Sequence, residues 1–97
     1  MSNKLLSSGY NPIVLDTVGS TSAIAQRVKI LCIVWDSGSS GTVGDTLALH
    51  TKAGGNAILT ATLAVAKDTL IFDLGGVEVD GIYLTTLSHG TVYIYCK

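Results

Sequence analysis

The run Arg27 to Asp36 (RVKILCIVWD) constrains this chain more than any other stretch. It is the longest continuous β-favouring segment, with β-branched or aromatic residues at Val28, Ile30, Ile33, Val34 and Trp35. Strict alternation sets Val28, Ile30, Cys32 and Val34 on one face and Lys29, Leu31, Ile33 and Trp35 on the other. An antiparallel strand with one wetted face alternates apolar with polar residues. This one does so only at its start and then turns apolar on both sides. It is therefore expected either at the centre of a two-layer fold or against another chain, with Leu31, Ile33 and Trp35 as the candidate contact face.

Other strands follow along the chain. Pro12 opens an extended run, Ile13 to Thr17, where a missing N–H is tolerated. Thr46 to Lys52 alternates Leu47 and Leu49 against Ala48 and His50, and Ala57 to Ala66 reads as strand because a helix there would lack a cap. In Thr69 to Asp80 a two-residue Gly75–Gly76 turn predicts a hairpin pairing Leu74 with Val77 and Phe72 with Val79. In Ile82 to Lys97 a three-residue Ser88-His89-Gly90 loop, with Gly90 left-handed, predicts a second hairpin pairing Leu87 with Thr91 and Leu84 with Ile94. That register puts Ile82, Leu84, Val92, Ile94 and Cys96 on the core face, and Tyr83, Thr85, Leu87, Tyr93 and Tyr95 on the other. About eight short strands and no helix make an all-β, single-domain antiparallel β-sandwich, jelly-roll-like, over residues 13–97. Residues 1–12 are expected to form an N-terminal arm whose Leu5 and Leu6 either insert into a neighbour or fray.

Composition bears on partners. The 97 residues are 47% hydrophobic but only 13% charged, against a usual charged share of about 25%. Few charges are left to cover a small domain, so a homo-oligomer, dimer or trimer, is expected. A net charge of −1 gives no basic footprint for nucleic acid. No apolar run approaches the roughly 20 residues of a bilayer span, so no membrane is expected. The N-terminal residues lack a signal-peptide core, and manufacture without Sec export is the expectation.

The residues that carry chemistry are sparse. His50 and His89 have no adjacent nucleophile motif, so no catalytic residues and no enzyme activity are expected. Asp36 to Asp45 (DSGSSGTVGD) lacks the Lys of a phosphate-binding loop and reads as a mobile connection whose tip could touch a partner. Asp73, Glu78 and Asp80 would share one face of the first hairpin, too few oxygens for Ca²⁺. Cys32 and Cys96 read as reduced, buried small hydrophobes, although a disulfide between them stays open; with two histidines they make no zinc site. No cofactor and no metal is expected. Tyr83, Tyr93 and Tyr95 form a candidate outward aromatic stripe suited to a protein interface.

Three stretches carry a family resemblance: RVKILCIVWDSG, TLALHTKAGG and IFDLGGVEVDGIYLTTLSHGTVYIYCK. In this succession of strands and glycines the chain resembles small all-β virion proteins of tailed bacteriophages, of the capsid decoration or cement type. The resemblance implies a non-enzymatic virion structural protein that binds and stabilises a lattice of major capsid protein. It implies a place on the capsid surface, and in the host cytoplasm during assembly. Another virion component (a head fibre base, neck, tail or host-adsorption module) is the alternative, and a carbohydrate-binding β-sandwich a further one.

Overall fold

The computed structural model describes residues 3–5, 11–19 and 23–97. Among them are seven strands and no helix: β1 (Ile13–Leu15), β2 (Val28–Asp36), β3 (Thr46–His50), β4 (Ala57–Thr62), β5 (Thr69–Val79), β6 (Tyr83–Leu87) and β7 (Thr91–Cys96). They form two antiparallel sheets, one of four strands in the order β1-β7-β2-β5 and one of three in the order β4-β3-β6. Of the strands consecutive in the chain, only β3 and β4 are hydrogen-bonded neighbours. The two sheets share one core that includes Ile13, Ile33, Trp35, Leu47, Leu49, Leu84, Val92 and Ile94. Burying each such side chain contributes about 1.5–3 kcal/mol.

β2 lies inside its sheet, between β7 and β5, as its apolar character requires. Its alternation, however, breaks. Ile30 pairs with Cys96 and Cys32 with Tyr95, so Leu31 is an extra residue, a β-bulge. Val28 and Ile30 point into the core before it, Ile33 and Trp35 after it. Since side chains alternate with period two, one inserted residue exchanges the faces of everything beyond it. The regular faces expected for this strand therefore hold only as far as Ile30.

The Gly75–Gly76 hairpin is not formed. Residues 69–79 run as one strand whose whole length pairs with β2, from Val28 opposite Val79 to Asp36 opposite Thr69. The glycines instead occupy a bulge within β5, between Asp73 opposite Cys32 and Val77 opposite Ile30. Gly75 and Gly76 have φ of 66° and 96°, a region that a tight turn and a bulge both use. This merger accounts for seven strands where about eight were expected.

The second expected hairpin is also replaced. β6 pairs with β3 and β7 with β2 and β1, so residues 88–90 form a corner that carries the chain from one sheet to the other. Ile82, Leu84, Val92, Ile94 and Cys96 are all buried, as expected, but they meet from opposite sheets. Gly90 does have a positive φ, 92°.

The sheets are not bordered alike. Beyond β1, Lys4 pairs with Val14 through two backbone hydrogen bonds of 2.7 and 2.9 Å. Beyond β6, Gly19 N–H donates to the Leu84 carbonyl and Ile24 exchanges two bonds with Ile82. Among the described residues no such segment borders β4 or β5.

Candidate functional site

The outer face of the four-stranded sheet is built from side chains that alternate with the core. Val14, Tyr93, Val34 and Ile71 form one row across all four strands, each opposite the next in register. Tyr95, Cys32 and Asp73 form the adjoining row. The Leu31 bulge adds a further apolar side chain, because Leu31 and Cys32 both point away from the core. Ile71 is 69% exposed, Tyr95 40% and Leu31 38%. A continuous apolar band of this kind on a small protein is a candidate interaction surface.

The outer face of the three-stranded sheet is its opposite in chemistry. Thr60, Ala48 and Thr86 form a row there, and Thr46 faces Thr62. Ser88 and Thr46 approach to 3.4 Å at one end. His50 Nδ1 and Thr85 Oγ1 share a 2.7 Å hydrogen bond at the other. Short hydroxyl side chains of this kind suit a face left in water. The two faces thus divide into one built to be wet and one that water solvates poorly.

The candidate contact residues separate accordingly. Leu31, Tyr93 and Tyr95 lie on the apolar face. Tyr83 lies on the other sheet, opposite His50. Ile33 and Trp35 are fully buried in this chain's own core and offer no surface, a consequence of the bulge. Leu5 packs against the core, and Leu6 lies outside the described residues. Val14, Val34 and Ile71 were not singled out from sequence. Ile71 was visible as an apolar residue alternating with Leu70 and Phe72, but only the pairing with β2 brings it beside Val34.

Comparison with protein-family models, curated proteins and solved structures returns no match. Its functional reading comes from its own surfaces.

Those surfaces include one polar corner. Asp45, with only 9% of its side chain exposed, accepts hydrogen bonds from the Thr42 N–H and Thr42 Oγ1, each at 2.9 Å. It lies 2.6 Å from His89 Nδ1. The Thr42 N–H above all, then the His89 contact, hold its carboxyl below the usual carboxylate range, against an opposing effect of burial. The pair ties the loop after β2 to the corner before β7. Ser37 Oγ also donates to the Asp68 carbonyl, and Lys67 N–H to the Gly41 carbonyl. The connection expected to be mobile is thus hydrogen-bonded into the body of the protein. Asp45 thus orients His89 by its ring.

The acidic trio is dispersed as well. Asp73 faces Cys32, not Glu78, and its Oδ1 accepts from the Gly75 N–H. Arg27 bridges Glu78 at 3.3 Å and Asp80 at 3.1 Å, in exposed ion pairs that contribute little stability. Among the described residues no three His, Cys, Asp or Glu side chains gather as a metal site. Both cysteines are free; Cys96 is buried, which raises its thiol pKa, and Cys32 is half-buried on the apolar face.

Proposed function

We propose that this chain is a non-enzymatic structural protein of a tailed-phage virion, a decoration protein that reinforces a lattice of major capsid protein. The observation that carries this reading is the apolar row Val14–Tyr93–Val34–Ile71 on the outside of the four-stranded sheet. A protein whose differentiated surface is a broad apolar face works by adhesion to other chains. The low charged fraction and the strand-and-glycine pattern that resembles capsid cement proteins support the same role.

The reading includes a β-sandwich of jelly-roll type. Counting the Ile24 segment beside β6 as a rudimentary further strand gives two sheets of four, β1-β7-β2-β5 and β4-β3-β6 plus Ile24. Two four-stranded sheets in which every successive pair of strands but β3 and β4 changes sheet would support this reading.

Particle fractionation tests the role. The chain should band with purified virions in fixed proportion to the capsid protein. Particles stripped of it should lose resistance to heat and regain it when the purified chain is added back. A chain found only in the unassembled fraction, with particles indifferent to its addition, would overturn the proposal.

A further inference from the structure

We infer that the apolar face of the four-stranded sheet is covered by a second copy of this chain, stacked face to face and turned end for end. This rests on the adhesive reading of that face and names its occupant: the chain would meet the lattice as a dimer, through surfaces other than this one. The argument comes from β2, which lies inside the sheet and whose outward side chains are Lys29, Leu31, Cys32, Val34 and Asp36. A cation stands at one end of this line and an anion at the other, with apolar groups between them. Lys29 and Asp36 both lack an ion-pair partner among the described residues, although Lys29 lies opposite Glu78. Glu78 itself is engaged by Arg27.

A two-fold axis running across the strands reverses the direction of the partner's β2. Lys29 of each copy then falls on Asp36 of the other, so one operation forms two pairs. The rows of Cys32 and Val34 lie near the axis and cover each other, which stacks Tyr95 over the partner's Tyr93. Ile71, Asp73 and Glu78 lie on the edge strand β5, at the rim, where water still reaches them. A foreign partner would have to reproduce this charge order, whereas a second copy supplies it by symmetry.

The area suits a weak dimer. The four strands, of 3, 6, 9 and 11 residues at about 3.3 Å each and about 4.8 Å apart, present a face of roughly 450 Å² before side-chain relief is counted. A standard interface takes about 800 Å² from each partner. The face falls short of that, which fits weak self-association at micromolar concentration or above. The opposite, threonine-lined face has neither the apolar area nor the paired charges.

The test is sedimentation velocity of the purified full chain between about 1 and 100 μM, a range that brackets a dissociation constant near 10 μM. A dimer of the 10.0 kDa chain is expected. Val34→Lys should weaken it at least tenfold, and Thr60→Lys on the opposite face should leave it unchanged. Circular dichroism of each variant separates lost association from lost fold. Lys29→Asp and Asp36→Lys should each weaken the dimer, and the doubly exchanged variant should restore it. A monomer throughout, a trimer, or a dimer indifferent to Val34→Lys would overturn the inference. Single charge variants that weaken the dimer without rescue by the double variant would overturn the end-for-end arrangement. No virion protein is present in these measurements, so their failure leaves the particle experiment standing and the converse holds too.

Discussion

The indole Nε1–H of Trp35 donates a 3.0 Å hydrogen bond to the carbonyl oxygen of His89. Trp35 is the penultimate residue of β2, an inner strand of the four-stranded sheet, and His89 is in the corner that passes the chain between sheets. The bond thus ties the largest core side chain to the sheet crossover, while Asp45 holds the same histidine by its ring. Replacing Trp35 by Ala should destabilise the fold by about 3–5 kcal/mol, through lost contacts and the cavity left behind. Trp35→Phe, which keeps most of the packing but abandons the His89 carbonyl, should cost more for the missing hydrogen bond than for volume, about 1–2 kcal/mol. Urea unfolding of both variants measures the difference. A Trp35→Ala protein as stable as wild type would contradict the burial described.

Gly90 is the tightest point of that corner. A Cβ built on it would overlap the Asp36 carbonyl oxygen and lie 2.6 Å from the Ser37 Cα. The positive φ alone costs a non-glycine residue about 1–3 kcal/mol, and the overlap with backbone adds to that. Gly90→Ala should therefore lower the denaturation midpoint markedly. Gly44→Ala, at a φ of 94° with open space around the added methyl, should cost less. Equal effects at both positions would remove the steric argument.

Asp45 gives the fold an acid limit. Its folded-state pKa is depressed, chiefly by the Thr42 N–H and then by His89. A depressed carboxylate contributes stability that is fully present above its unfolded pKa of about 3.9 and is lost as pH falls toward the folded value. Wild type should lose stability below about pH 4, whereas Asp45→Asn should be less stable at neutral pH and flatter through the acid range. Thermal unfolding of both proteins from pH 7 to pH 3 checks the sign. Parallel curves would show that Asp45 is not linked to folding.

The amide of Asn11 completes the end of β7 as a strand would. Its Nδ2 donates to the Cys96 carbonyl and its Oδ1 accepts from the Cys96 N–H, both at 3.0 Å. Asn11→Ala leaves two part-buried backbone groups without these partners, at a cost of about 1–3 kcal/mol. Hydrogen exchange should show the Cys96 amide losing protection while the amides at the centre of β7 keep theirs. Unchanged protection at Cys96 would dismiss the mimicry.

Much of this protein is local and was legible as such. The strand at Arg27–Asp36, the alternation of Leu47 and Leu49, the inward set Ile82, Leu84, Val92, Ile94 and Cys96, and the positive φ of Gly90 all follow from side-chain period and turn chemistry. Those signals depend on neighbours along the chain. Tertiary structure decided which strand each one pairs with. Gly75–Gly76 supplies positive φ to a bulge in β5 as readily as to a turn, and residues 88–90 reverse the chain between two sheets as readily as within one. The Leu31 bulge has no local signature, because a run apolar on both sides reads the same in either phase; only the pairing of Ile30 with Cys96 and Cys32 with Tyr95 reveals the extra residue. That shift put Ile33 and Trp35 in the core and left Val34 outside beside Tyr93 and Ile71. The apolar face was therefore beyond the sequence alone. It is assembled from four strands whose order is set by long-range pairing, and period along one strand carries no information about which residues stand beside it on the next.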